Sequence, residues 1–228
     1  MPKISCKALL FDMDGVLIDS TPAVARVWSQ WAREHGFDPE ETVHQAHGRP
    51  SLSTIRELLP DVDHEAENRE VERREILDID GVVPLPGVAE FLASLPADRW
   101  TIVTSCTKPL ADVRIRAARI MSPARFITAQ DIIIGKPDPE PYLKGAELLG
   151  FAAQDCVVVE DASAGVRSGK GAGARVIAVQ TTETFDSLIE LGADWIVKDC
   201  SFLSLEETTE SGDLIINVTL SSAPRPSD

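Results

Sequence analysis

Phe11-Asp12-Met13-Asp14-Gly15-Val16-Leu17-Ile18-Asp19-Ser20 joins the end of an apolar run, Cys6–Phe11, to a glycine-containing turn with two carboxylates spaced two residues apart. The apolar run reads as a buried strand. Carboxylates crowded at a strand end repel one another, so they need a cation or a raised pKa. A hard, oxygen-ligated ion such as Mg²⁺ answers that need and would also offset an incoming anion. Taken alone, the string could also be a simple turn or an Asx cap, so its meaning depends on what surrounds it.

Outward from this stretch, short apolar runs recur at Trp100–Thr104, Cys156–Val159 and Arg175–Val179, with weaker ones at Phe126–Thr128 and Trp195–Val197. Helical patterns lie between them. Val88, Phe91, Leu92 and Leu95 share one helical face, and Pro139–Leu149 closes on Gly150, a common helix stop. The alternation predicts an α/β fold with a Rossmann-like, mostly parallel sheet and helices on both faces. Ligands of such sheets sit beyond the carboxyl ends of the strands. Polar residues follow several strands at once: Asp12 and Asp14, Ser105, and Glu160 with Asp161.

One segment breaks the pattern. Between residues 19 and 83 helices are expected and no strand. The first starts at Thr21, taken as the cap with Pro22 in first position, and turns Val24, Val27, Trp28 and Trp31 to one face. A second starts near Ser51 or Ser53, and a charged third spans His64–Leu77. The expected organisation is therefore a core of residues 1–18 and 84–228, with 19–83 forming a small all-helical cap inserted after the first strand. Gly81 and Pro84–Gly87 are the expected second hinge. Near the end, Ser211-Gly212-Asp213 before LIINVTL predicts a turn and a last strand at an edge.

At 228 residues with 43% hydrophobic content, the chain can bury one sizeable core and a small insertion. A net charge of −15 without a basic stripe disfavours nucleic acid and anionic membrane as partners. No apolar run is long enough to span a bilayer, and MPKISCKALLFD does not read as a secretory signal. Cys6, Cys106, Cys156 and Cys200 lie far apart without metal-site spacing, as suits a reduced cytoplasmic protein.

The opening string resembles the first motif of the haloacid dehalogenase-like hydrolases, most of which are phosphatases. The other motifs of that family follow in order. Thr104-Ser105-Cys106-Thr107 looks like the second, Gly135-Lys136-Pro137-Asp138-Pro139 like the third, and Val159-Glu160-Asp161-Ala162 like the fourth. The resemblance covers nearly the whole core. It implies that Asp12 is the nucleophile and that Asp14 protonates the leaving alcohol and then deprotonates water. It implies Mg²⁺ held by the Asp12 and Asp161 carboxylates and the Asp14 main-chain carbonyl, with Glu160 either a ligand or a support. Ser105 and the Cys106 N–H would bind phosphate, and Lys136 would supply a fixed positive charge.

In this family helical insertions after the first motif form caps that close over small substrates, and 19–83 has that length and character. Within it, Arg49 and His47 are the candidate substrate-binding residues. Pro22–Gly36, Phe126–Gly150 and Val157–Gly173 resemble bacterial broad-specificity sugar phosphatases and the yeast glycerol-3-phosphate and 2-deoxyglucose-6-phosphate phosphatases. Cys106 departs from those relatives, which usually carry glycine there. The partner expected is a small phosphorylated metabolite, and the expected state a monomer or weak homo-oligomer. The nearest rival is a phosphosugar mutase of the β-phosphoglucomutase kind, which would use the same Asp12 and Asp14. A phospho-acceptor signalling domain would be about half this length and would lack the insertion.

Overall fold

The computed structural model describes residues 2–46 and 50–221. The chain opens with strands β1 (Lys3–Cys6), β2 (Ala8–Phe11) and β3 (Ile18–Asp19). Helices α1 (Thr21–His35), α2 (Pro39–Ala46), α3 (Ser51–Leu58) and α4 (His64–Leu77) follow, and β4 (Val83–Pro84) ends that excursion. The alternating part runs α5 (Val88–Ser94), β5 (Trp100–Ile102), α6 (Lys108–Ala118), α7 (Glu140–Leu149) and β6 (Cys156–Glu160). It continues through α8 (Ser163–Gly171), β7 (Arg175–Val179), α9 (Phe185–Glu190) and β8 (Trp195–Val197), before β9 (Leu203–Thr208) and β10 (Leu214–Val218).

The main sheet has the order β5-β2-β6-β7-β8, and every pair in it is parallel. Its strands are covered on both faces, so β2 and β6 are buried at every position and read as unbroken apolar runs. Alternate residues still serve opposite faces. Leu9, Phe11, Val157 and Val159 join one hydrophobic cluster, whereas Ala8, Leu10, Val158 and Val176 join the other. In register, Phe11 lies between Ile102 of β5 and Val159 of β6. The loops after these three strands therefore open at one level.

Several expectations are corrected. The run Cys6–Phe11 is not one strand: β1 alternates exposed and buried residues and pairs with β10 rather than with the main sheet. The last strand is not an edge. β10 is the centre of a second, antiparallel sheet of order β1-β10-β9. Its partner β9, LSLEET, is too polar to be recognised from its pattern. Phe126–Thr128 contributes only an isolated bridge, Val103 to Ile127. Thr21 is the first residue of α1 and Ser20 its cap, but the Ser20 hydroxyl does not cap the helix.

The helical excursion holds α2 in addition to the three expected helices; PEETVHQA buries only Thr42 and Ala46, a weak periodic signal. α1–α4 pack around a cluster of their own, Val27, Trp28, Trp31, Ala46, Ile55 and Val71. Trp28 and Trp31 meet edge to face at 5.3 Å, within the favourable range for aromatic pairs. The chain leaves and re-enters the core through one antiparallel pair, Ile18 opposite Pro84 and Asp19 opposite Val83. Beside it, Arg26 on α1 bridges Asp78 and the Asp80 carbonyl, each at 2.6 Å. Among the described residues no helix is long and apolar enough to cross a membrane.

Candidate active site

Where β2 ends, the Asp12 N–H donates to the Val159 carbonyl at 2.9 Å, which fixes the carboxylate beside the end of β6. The chain then turns tightly, with the Leu17 and Ile18 N–H groups both on the Met13 carbonyl at 2.9 Å. Gly15 sits at φ 81°, and a Cβ there would lie 2.0 Å from Asp161 Oδ2. Glycine is thus required twice, for the positive φ and for the close approach of two carboxylate-bearing loops.

Lys136 comes from the loop before α7, and its ammonium is almost fully enclosed. Its Nζ donates to Asp12 Oδ1 at 2.7 Å, Glu160 Oε1 at 2.6 Å and the Val103 carbonyl at 3.0 Å. It also lies 4.9 Å from the centre of the Tyr142 ring, close enough for a cation–π contact. Burial works against its charge, but Asp12 and Glu160 outweigh that, so the group is held protonated well above the ordinary lysine range. Glu160 is committed on both oxygens. Oε1 also accepts from the Tyr142 hydroxyl at 2.6 Å, and Oε2 accepts from the N–H groups of Asp161 and Ala162 at 3.0 and 3.4 Å.

One oxygen each from Asp12, Glu160 and Asp161 fall within 4.8 Å of one another. Burial, then the neighbouring carboxylates, push Asp161 well above the usual range. Asp12 is raised by burial against the pull of Lys136. Three carboxylates, those of Glu160 and Asp161 buried, facing one ammonium leave an excess of negative charge, and all their donors are oxygen. That set fits a divalent, oxygen-preferring cation.

The Asp14 side chain is not in this cluster. Its Oδ1 accepts from Ser20 Oγ at 2.6 Å, and its Oδ2 from Arg114 Nη1 at 3.0 Å and Cys106 Sγ at 3.2 Å. Diversion of the Ser20 hydroxyl to Asp14 explains why that hydroxyl does not cap α1. Ser105 is exposed at the cavity wall. The Cys106 N–H donates to Thr104 Oγ1 at 3.1 Å. The Cys106 thiol is pushed well above its ordinary value, by burial first and then by Asp14, which makes it a poor nucleophile. His47 and Arg49 lie outside the described residues.

These groups open into a cavity of about 510 Å³ between the strand ends and the helical excursion, its far wall formed by Val24, Trp28, Leu52, Asn68 and Glu72. Four participants escaped the sequence reading. Thr181 and Thr182 follow β7 and donate hydroxyl hydrogen bonds to Asp161 Oδ2; their place just after a strand was the available signal. Tyr142, the sole tyrosine, lies completely buried on α7. Arg114 shares the buried stripe of α6 with Leu110, Ala111, Ile115 and Ala118, and an arginine on an apolar stripe marks a buried ion pair.

Comparison with known proteins gives a consistent picture. A family model described as haloacid dehalogenase-like hydrolase matches residues 6–173. Hexitol phosphatase A of Escherichia coli (strain K12) is 42% identical over 220 residues, covering 92% of this chain and 99% of that protein. Glycerol-1-phosphate phosphohydrolase 1 of Saccharomyces cerevisiae (strain ATCC 204508 / S288c) is 35% identical over 225 residues, covering 92% and 89%. Among solved structures, a HAD hydrolase of family IA, variant 3, from Entamoeba histolytica HM-1:IMSS superposes with a TM-score of 0.74. It is 26% identical, over 85% of this chain and 93% of that one.

Proposed function

The chain belongs to the haloacid dehalogenase-like hydrolases, and within them we propose that it is a Mg²⁺-dependent phosphatase of small sugar or polyol phosphates. The observation that carries this reading is the cluster at the ends of β2 and β6, in which Lys136 clamps Asp12 against Glu160 with Asp161 alongside. The names of the hexitol and glycerol phosphate phosphatases, similar along nearly their whole length, support the substrate class.

In this reading an Asp12 oxygen attacks phosphorus while the bond from phosphorus to the sugar oxygen breaks, leaving an aspartyl phosphate. The departing oxygen takes a proton from Asp14. Water then attacks the same phosphorus, Asp14 takes its proton, and the bond to Asp12 breaks to release phosphate. Lys136 keeps Asp12 oriented and offsets charge on the transferring group. Ser105 and the Cys106 N–H donate to the phosphoryl oxygens, the latter after leaving Thr104. Mg²⁺, when bound by the Asp12 and Asp161 carboxylates and the Asp14 carbonyl, would supply further charge neutralisation. Glu160, with both oxygens already hydrogen-bonded, holds Lys136 and the loop of Asp161 rather than the ion.

The helices of 19–83 act as a cap over the cavity, and closure excludes water during transfer to Asp12. Arg49 and His47 remain the candidates for substrate contact within that cap. The cavity also bears on the rival reading. Among the described residues its basic side chains are Lys136 and Arg114, and each already faces two carboxylates. Glu72 and Glu75 also line it. A sugar bisphosphate, which a mutase must hold, would place its second phosphate against those acids. A monophosphate with a neutral, hydroxyl-rich tail fits better.

The test is phosphate release from a panel of hexitol, hexose, deoxyhexose and glycerol phosphates, with Mg²⁺ and with EDTA. Cation-dependent release across several of them is expected. Absence of release, with glucose 1- and 6-phosphates interconverting once a bisphosphate primer is added, would overturn hydrolysis in favour of isomerisation.

A further inference from the structure

Among the described residues, Arg114 is the buried cation at the site to which the chemistry above gives no task. Its side chain is 5% exposed, and its guanidinium lies between two carboxylates from different parts of the chain. Nη1 is 3.0 Å from Asp14 Oδ2, and Nη2 is 3.4 Å from Glu75 Oε2. Nη1 also lies 3.2 Å from Cys106 Sγ. Asp14 follows β2, whereas Glu75 stands on α4 in the helical excursion. Glu75 is itself 8% exposed and is further hydrogen-bonded by Trp28 of α1.

A second polar contact joins the same two helices. Thr107, the N-cap of α6, donates to Glu72 Oε1, one helical turn before Glu75 on α4. α4 therefore touches α6 at two points, and one of them reaches through Arg114 to the proposed proton-transfer group.

We propose that Arg114 is a positioning residue that sets the orientation of the Asp14 carboxyl group and ties it to the seating of α4. This rests on the phosphatase reading of Asp12 and Asp14. The two carboxylates face different nitrogens of the guanidinium, Nη1 for Asp14 and Nη2 for Glu75. With α4 seated, Glu75 steadies the Nη2 side of Arg114, and Nη1 in turn holds the Asp14 carboxyl group beside Ser20 and Cys106. With α4 withdrawn, Glu75 would leave with it and the guanidinium would lose that anchor. The orientation of the proton-transfer group thereby follows the seating of the helix over the cavity.

Leaving-group dependence tests this, because a poor leaving group needs the proton from Asp14 and p-nitrophenolate does not. The quantity read is the ratio of kcat/KM for a sugar phosphate to kcat/KM for p-nitrophenyl phosphate. Arg114→Met is expected to lower that ratio roughly 10- to 100-fold, the size of a misplaced proton-transfer group. Arg114→Lys should restore part of it, and Glu75→Gln should lower it less than Arg114→Met does. The pair Arg114→Met with Glu75→Gln should be no worse than Arg114→Met alone, since residues acting through one contact are not additive.

Equal losses on both substrates, or an unchanged ratio, would overturn the proposal and leave Arg114 a structural ion pair. Should Arg114→Met fail to fold, the ratio in Arg114→Lys and Glu75→Gln decides in the same sense. The phosphatase reading fails separately, in the unmodified protein: through hydrolysis of neither substrate, or through activity retained by Asp12→Asn.

Discussion

Lys136 shows how much of this site depends on one side chain. It neutralises Asp12 and Glu160 from less than 3 Å. Lys136→Met would leave two buried carboxylates facing Asp161 with no ammonium. A loss of stability of about 3–5 kcal/mol at neutral pH is expected, with near-complete loss of turnover. Denaturant melts and phosphate release check this, and a variant that keeps both within twofold of the parent would contradict it. Glu140 makes a different kind of prediction. It accepts from the Ile133 and Ile134 N–H groups, at 2.9 and 2.8 Å, and so braces the loop that carries Lys136. Its hydrogen bond to Lys144 and those two N–H groups lower its pKa from 4.5 to about 2. A folded-state value below the unfolded one stabilises the fold above the unfolded pKa and is lost as pH falls toward the folded one. Stability should therefore decline between about 4.5 and 2, and Glu140→Gln should flatten that decline in thermal melts across the same window.

Among the elements, β2 and the four-helix excursion carry the fold, and they differ in how far the sequence revealed them. β2 was legible because an all-buried parallel strand is an apolar run whose end is marked by Asp12. α1 was legible because Val24, Val27, Trp28 and Trp31 keep helical spacing. Trp31→Ala should cost about 3–5 kcal/mol, since it removes the fully buried ring against which Trp28 and Phe37 pack and leaves a cavity between them. If denaturant melts instead show a loss below about 1 kcal/mol, the excursion does not depend on that core. By contrast, α2 and β9 carry few buried residues and left no period to read. The division of Cys6–Phe11 into β1 and β2 was invisible too, because it depends on pairing with β10, some two hundred residues away. Site residues follow the same logic. Asp12, Lys136 and Asp161 sit in local motifs, whereas Arg114, Glu75 and Tyr142 acquire their partners only when α4, α6 and α7 are packed. Gly87 is a tertiary constraint of that kind: at φ 77° its Cβ would lie 2.2 Å from the Ser201 backbone nitrogen. Gly87→Ala should lower the melting temperature although it touches no catalytic group.

For the molecule as a whole, a charge of −15 must be reconciled with an anionic substrate. The reconciliation proposed is local: Lys136 and a divalent cation supply positive charge at the strand ends, and Glu72 and Glu75 on the cavity lining disfavour substrates with a second phosphate. EDTA should therefore abolish turnover, and Mg²⁺ should restore it. Sugar bisphosphates should be hydrolysed less efficiently than the corresponding monophosphates, as kcat/KM on matched pairs would reveal. The proposed reaction passes through a phosphoryl group carried on Asp12. The most direct measurement is its location on the protein, by peptide mass mapping of samples quenched in acid during turnover of a sugar phosphate. The phosphoryl group is expected on the peptide bearing Asp12, with no turnover in Asp12→Asn; a phosphoryl group on Ser105 or Cys106, or continued turnover in that variant, would contradict the role of Asp12.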